Sequence, residues 1–467
     1  LLIRRLISFV LLGLCLPSQA NAEGETDGDP ARVSERALLG SMIAIQTVAG
    51  RTEEFQRLTL LLRRELEKAG ITQIEIKDHD GTQTLIARWP AGRSNESKPI
   101  LLMAHMDVVE AKPEDWRNPP FELREEDGYY LGRGTADNKG QLAGLLLSLQ
   151  ELRRQDFRPS RDIVILITGD EETTGNGARR AVTEWRSLVD AEYAINFDAG
   201  GGTVTRDGKV DAFMLQLSEK AVADFKLTAT NRGGHSSTPR PDNAIYALAG
   251  AIKAIEAHRF LPMINEGSRA QFQMFADRDG GRLGEIIKAW LADPENREKA
   301  DLVEAILPGY TRTRCVATMI SGGHAPNALP QRAEANVNCR IFPGVKIEDV
   351  RLQLQGASGP DIEVSLVEGS TTPTAEPTAL RDDILQAYQF ALETRFPDAP
   401  VVPMMSAWAT DGAFVRNAGI PVYGLSGDWG ISGTSSGSHG LDERMLVEAY
   451  HGQIPIMTEF LRILSGT

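Results

Sequence analysis

The chain has 467 residues, 42% of them hydrophobic and 24% charged, a balance that excludes a disordered, collagenous or disulfide-scaffold protein. Its formal net charge of −14, from 64 acidic and 50 basic residues, speaks against nucleic acid or an anionic membrane surface as partner. Three cysteines are too few for a disulfide framework or a cysteine-rich zinc module.

At the start, Arg4 and Arg5 precede an apolar run over 6–16, which Pro17 breaks before Ala20-Asn21-Ala22. This is the layout of a secretory signal over 1–22. The apolar run is too short to span a bilayer comfortably. The expected product is secreted or periplasmic, with no membrane partner once the signal is cleaved. Cys15 would leave with the signal, and Cys315 and Cys339 would then sit in an oxidising space. Those two are equally spaced about Asn327, between strand-like runs at 313–320 and 333–341. A symmetric hairpin would oppose their sulfurs, and both a disulfide and a pair of buried thiols fit.

Residues 32–48 and 52–69 carry helical apolar spacing. Runs 74–77 and 84–89 flank Asp80-Gly81 as the arms of a hairpin. Short apolar runs at 100–104, 163–167 and 193–197 then alternate with helical stretches at 141–152 and 177–188. That pattern belongs to a buried, largely parallel sheet. Past residue 220 the texture changes. A strand at 223–230 is followed by a helix at 242–258 with Asp242 as N-cap, and strands at 313–320 and 333–341 follow. A helix at 347–354 and a strand at 362–367 complete a β-α-β-β-α-β order, that of a ferredoxin-like unit. An amphipathic insertion at 261–308 interrupts it. A Pro/Thr-rich linker over 371–377 leads to a helix at 379–394, a strand at 422–425 and a closing helix at 442–464. The expected organisation is α/β: a mixed, largely parallel sheet flanked by helices over 31–220 and 370–467, with an α+β domain over 221–369 inserted.

Three strand ends carry the chemistry. Run 100–104 leads into His105-Met106-Asp107, run 163–167 into Gly169-Asp170-Glu171-Glu172, and run 193–197 into Asp198-Ala199-Gly200. Sites in open α/β sheets form beyond the carboxyl ends of strands. A Gly-rich loop over 132–140 lies between the first two in sequence, with Asp137 at its tip. It lacks the spacing of a phosphate loop. Taken singly, each of these signals is more often structural than functional. Together they crowd carboxylates into one cleft, which is costly unless a cation compensates. Imidazole with carboxylate is ligand chemistry for Zn2+ and its neighbours.

In this the chain resembles the M20 family of metallopeptidases, which also contains aminoacylases and dipeptidases. The matching motifs are His105-Met106-Asp107-Val108-Val109, Gly134-Thr135-Ala136-Asp137-Asn138-Lys139-Gly140, Gly169-Asp170-Glu171-Glu172-Thr173-Thr174-Gly175, Asp198-Ala199-Gly200, Gly234-His235-Ser236-Ser237 and Ser438-His439-Gly440. They follow the family's order across nearly all of the chain beyond the signal. The insertion most resembles the branch with vacuolar carboxypeptidase S and the secreted N-acyl amino acid hydrolases.

The resemblance implies a zinc-exopeptidase-like fold whose smaller ferredoxin-like domain serves as lid and homodimer contact. It implies two divalent ions, Zn2+ first with Co2+ or Mn2+ as alternatives, sharing Asp137. One ion would also take His105 and Asp198, and the other Glu172 and His439. Asp107 would hydrogen-bond the His105 imidazole and fix its tautomer, and Glu171 would be the general base. A cis peptide is expected between Asp137 and Asn138. His235 would reach a partner subunit's site. Arg340 would grip a substrate carboxylate, with Asn327 beside it, and Lys139 would brace its loop. The implied activity is removal of a C-terminal residue or splitting of dipeptides. Hydrolysis of N-acyl amino acids is the alternative, and an inactive binding protein on the same fold a remote one.

Overall fold

The computed structural model describes residues 29–93 and 96–466; the expected signal over 1–22 lies outside them. Among the described residues, no helix is long and apolar enough to cross a membrane.

The hairpin of Gln73–His79 and Thr82–Trp89 opens a ten-stranded sheet. Its turn is Asp80-Gly81, both at positive φ, the two-residue geometry whose twist suits a hairpin. Beyond it, in spatial order, run Ile163–Thr168, Ile100–His105, Tyr193–Asn196, Val422–Gly424, Val210–Glu219, Gly201–Val204 and Trp429–Ile431. Val401–Ser406 pairs in parallel with Val210–Glu219. Ile100–His105 lies parallel to both Ile163–Thr168 and Tyr193–Asn196, and all three are buried throughout. Unbroken apolar sequence suits strands covered on both faces.

The covering follows the two-residue period of a strand. Ile100, Leu102 and Ala104 face one core, with helices Pro30–Ile43, Thr52–Lys68, Lys139–Arg154, Asp382–Glu393 and Val447–Ser465. Leu101 and Met103 face the other, with Ala181, Val189 and Val415 from the shorter helices. The sheet is mixed, and its central strands are parallel, in line with the expected class. The closing helix begins at Val447, not 442, because Arg444–Leu446 is drawn off as a strand against Tyr129–Leu131.

A second sheet runs Arg314–Gly322, Arg332–Ile341, Ala221–Thr230, Ile362–Leu366, antiparallel throughout. Helices Ala244–Ala257 and Ile347–Ser358 cover one face, packing Leu248 and Leu354 over Phe225, Leu227 and Val337. Chain order through this unit is β-α-β-β-α-β. The first helix is capped by Asn243, whose side chain accepts from the N–H of Ile245 and Tyr246. The expected cap, Asp242, instead pairs with Arg240 and Asn231. Cys315 and Cys339 stand opposite in the ladder and are joined by a disulfide.

Helices Glu266–Asp279, Arg282–Leu291 and Arg297–Ile306 fill the insertion and have their own core around Phe272, Ile287 and Trp290. The first of them leans on the main sheet: a Cβ on Gly267 would stand 2.6 Å from the Met404 carbonyl oxygen. Asn265, its N-cap, donates to Ser218 Oγ at 3.1 Å.

Candidate metal centre

Ile100–His105, Ile163–Thr168 and Tyr193–Asn196 end side by side, so the residues that follow them converge. The Gly-rich loop folds over these ends and enters helix Lys139–Arg154. It can do so because Gly140 is bare: a Cβ there would stand 2.1 Å from the Thr135 carbonyl oxygen. The expected cis peptide joins Asp137 to Asn138. The Asn138 side chain stitches two strand ends together. Its Oδ1 accepts from the His105 N–H at 3.3 Å, and its Nδ2 donates to the Phe197 carbonyl at 3.2 Å. Lys139 is buried and donates to the Met42 and Ile45 carbonyls, which braces the loop as expected.

Asp137 faces two groups of side chains with its two oxygens. Oδ1 is 3.0 Å from His105 Nε2, which is also 3.3 Å from Asp198 Oδ1. Oδ2 is 3.3 Å from His439 Nε2, which is 2.8 Å from Glu172 Oε2. Within each trio, His105–Asp137–Asp198 and Asp137–Glu172–His439, one ligand atom per residue lies within 4.8 Å of the others. That is the span expected around one ion with ligand bonds of about 2.0–2.2 Å.

Asp107 works on both sides of the cluster. The shortest contact of His105 Nδ1 is to the Asp107 main-chain oxygen, at 3.1 Å, and the carboxylate stands 3.4 Å away. The carboxylate itself accepts from the N–H of Glu171 and Glu172, at 3.2 and 3.0 Å. So the tautomer of His105 is set chiefly by a backbone carbonyl, while the Asp107 side chain holds the following acidic pair in place.

The electrostatics are those of a desolvated acidic cluster. Burial pushes Asp198 up to about 7, against the pull of His105. Burial, with Asp198 adding to it, holds Glu171 well above the usual carboxylate range, and burial raises Glu172 as well. Burial also opposes the Asp137 charge, but hydrogen bonds from His105 and His439 outweigh it and keep that carboxyl low. Hydrogen bonds with Asp137 and Glu172 lift His439 to about 10. Burial opposes the His105 charge, but Asp198, Asp107 and Asp137 carry it well above the ordinary value. Carboxylates forced to hold protons beside charged imidazoles are the condition that divalent cations relieve. The donor set therefore fits two cations.

Asp137, Glu172, Asp198 and His439 line a cleft of about 890 Å³, and Glu171, within electrostatic reach of Asp198 and Glu172, lines it with them. Across the cleft, Val222, Asp224 and Arg340 project from the free face of the second sheet. Asp224 accepts from Asn336 and Asn338. The Arg340 side chain has no hydrogen bond or ion pair among the described residues, and it lines the cleft.

His235 and Asn327 do not line this cleft. Strand Gly234–His235 pairs with Ala328–Leu329, and the Asn327 carbonyl takes the Ser236 N–H at 3.0 Å, beside the exposed His235. Sequence reasoning missed Trp408, Phe414 and Asp411, which do line the cleft. They follow Val401–Ser406, a strand whose half-exposed Val-Val-Pro start carries little pattern. Asp411 is pushed up by burial and joins the Thr168 hydroxyl.

Residues 101–463 match the model of peptidase family M20/M25/M40. The human N-fatty-acyl-amino acid synthase/hydrolase PM20D1 is 30% identical across 79% of this chain and 75% of its own length. The probable carboxypeptidase S-like 2 of Dictyostelium discoideum is 28% identical across 79% of this chain and 72% of its own. Among solved structures, an M20 family metallo-carboxypeptidase, Sso-CP2 from Sulfolobus solfataricus, superposes with a TM-score of 0.69 at 21% identity, covering 92% of this chain and 98% of that one.

Proposed function

The chain belongs to peptidase family M20/M25/M40 and is a metal-dependent hydrolase, and from that premise we propose that it cleaves the amide joining an acyl group to the nitrogen of a free amino acid. The observation that carries this reading is the cleft itself. Glu171 and members of both ligand trios line the same cleft as Arg340, whose guanidinium has no partner among the described residues. A free carboxylate on the leaving amino acid suits that guanidinium. N-acyl amino acids are the first substrate class, supported by kinship with the named acyl-amino acid hydrolase and by the apolar Phe197, Trp408 and Phe414 in the cleft. Small peptides with a free C-terminus are the second, supported by kinship with a carboxypeptidase S-like protein.

The proposed cofactor is a pair of divalent ions, Zn2+ by donor chemistry, held by His105, Asp137 and Asp198 and by Asp137, Glu172 and His439. Such ions supply Lewis acidity and lower the pKa of water near them. Glu171 takes the proton from the attacking water and returns it to the departing amine nitrogen. Asp107 keeps Glu171 aimed by gripping its N–H, and Arg340 fixes the far end of the substrate so that the amide lies over the cluster.

We further propose a homodimer through the second sheet. Arg314–Gly322 is an edge strand with Val316, Met319 and Ile320 more than half exposed, beside Tyr246 of the neighbouring helix. Unpaired apolar edges invite another chain. His235 and Asn327, outside their own cleft, would then act at the partner's. Export is proposed from the N-terminal signal pattern and accords with the Cys315–Cys339 bond.

The test is a hydrolysis panel on the Zn2+-loaded protein: acyl-leucine, acyl-phenylalanine and acyl-glutamate against Gly- and Ala-extended dipeptides. The reading predicts faster release of amino acid from the acyl substrates and no cleavage of the matching C-terminal amides. Cleavage indifferent to the free carboxylate would contradict the role of Arg340, and cleavage of peptides alone would select the second substrate class.

A further inference from the structure

Glu443 is fully buried, four residues past His439, and spends its carboxylate on the opposite loop. Oε1 accepts the N–H of Ala136 and Asp137 at 2.8 and 3.0 Å. Oε2 accepts the N–H of Gly134 at 3.1 Å and the Arg133 guanidinium. Successive backbone N–H groups of this kind form an anion-holding concavity, here filled by a side chain from elsewhere in the chain. Arg133, 3% exposed, turns its other nitrogen to the Gly440 carbonyl at 2.9 Å and rests on the Trp116 ring at 5.1 Å. The Glu443 carbonyl takes the Gly132 N–H at 3.0 Å. Two buried charges thus tie the loop carrying Asp137 to the loop carrying His439.

The tie falls where the centre is otherwise weakest. His105 ends a buried strand, and Asp198 follows another. His439 has neither support. It is 56% exposed, sits at φ +60 outside any strand or helix, and touches the cluster only through its own imidazole. Gly440, the next residue, is where Arg133 pulls. A buried ion pair is a poor source of stability, since apolar side chains of equal volume serve as well. What charged, directional bonds provide here is a fixed separation between two loops.

We propose that the Arg133–Glu443 pair is a positioning clamp that sets the distance from Asp137 to His439, and thereby the cation affinity of the Asp137–Glu172–His439 trio. This rests on the reading that both trios hold cations. The clamp reaches the other trio only at the shared Asp137, while His105 and Asp198 are set by buried strands, so that trio depends on it less.

The experiment is a titration of Co2+ into metal-stripped protein, followed by visible absorption and equilibrium dialysis, for wild type and Arg133→Lys. Lysine keeps the charge beside Glu443 but lacks the fork that reaches both Glu443 and Gly440. The expected result is two ions in the wild type. In Arg133→Lys the first ion should bind within about twofold of wild type, the second at least tenfold more weakly, with the melting temperature of the stripped protein unchanged. Glu443→Gln, which removes an acceptor from the N–H cradle, should weaken the second ion at least as much. A second ion bound with wild-type affinity in Arg133→Lys overturns the clamp. So does a parallel loss at both sites with a fall in melting temperature, which would make the pair merely structural. A wild type that takes up fewer than two ions overturns the two-cation reading instead, a result visible before any variant is made.

Discussion

The two halves of the acidic cluster share Asp137 but are built from different material. His105 and Asp198 stand at the ends of buried parallel strands and are 1% and 14% exposed. Glu172 and His439 stand on loops, one held by Asp107 through its N–H and the other reached by Arg133 through its neighbour's carbonyl. Backbone in the first half is fixed by a sheet that the whole core supports. Backbone in the second is fixed by a few charged bonds. The centre therefore has a half that folds into place with the domain and a half that must be held.

The largest expected effect ignores this difference. Glu171 lines the cleft and belongs to neither ligand trio, so Glu171→Gln should lower kcat by roughly 10³-fold, the scale of a lost general base, with both ions still bound. Near-normal turnover in that variant would remove Glu171 from the chemistry.

Next come two substitutions that should separate the halves. His105→Ala leaves Asp198 and Asp137 buried without their partner, and breaking a buried ionic contact costs about 3–5 kcal/mol. That variant should lose metal and melt well below wild type. His439→Ala removes a half-exposed side chain from a loop and should cost less stability than His105→Ala, losing one ion and most activity on a fold that remains intact. Equal melting temperatures would erase the distinction.

A smaller effect is a proton count. In the stripped protein hydrogen bonds with Asp137 and Glu172 hold His439 protonated up to about 10, and His105 is raised as well. Cations must displace those protons. Metal binding between pH 6 and 8 should release protons, and affinity should fall as pH falls, by roughly tenfold per unit for each proton displaced. Calorimetry in buffers of different ionisation enthalpy measures the count. A pH-independent affinity across that range would contradict the charged imidazoles.

The same contrast decides what was legible in the sequence. Residues 100–104, 163–167 and 193–195 are apolar runs, each followed within four residues by a ligand or base, so the strand-borne half could be read directly. Val210–Glu219 was invisible because its buried Gln216, Ser218 and Glu219 spoil the pattern. Their partners lie far off: Ser406 for Gln216, and Arg416 with the Thr410 N–H for Glu219. Glu443 was hidden for the same reason. Nothing near it marks a cradle that Gly134, Ala136 and Asp137 supply some 300 residues earlier in the chain. Local pattern reports burial and strand ends; it does not report a polar group whose partner comes from the other end of the sequence. His439 itself was read from the family motif, since its loop has no pattern of its own.

In this centre one carboxylate, Asp137, is expected to join two cation sites. Anomalous scattering from crystals of the Zn2+-loaded protein, recorded on both sides of the zinc edge, tests it most directly. Two zinc peaks should flank Asp137, one against His105 and Asp198 and one against Glu172 and His439. A single peak in the cleft, or a pair that leaves Asp137 uncoordinated, would contradict it.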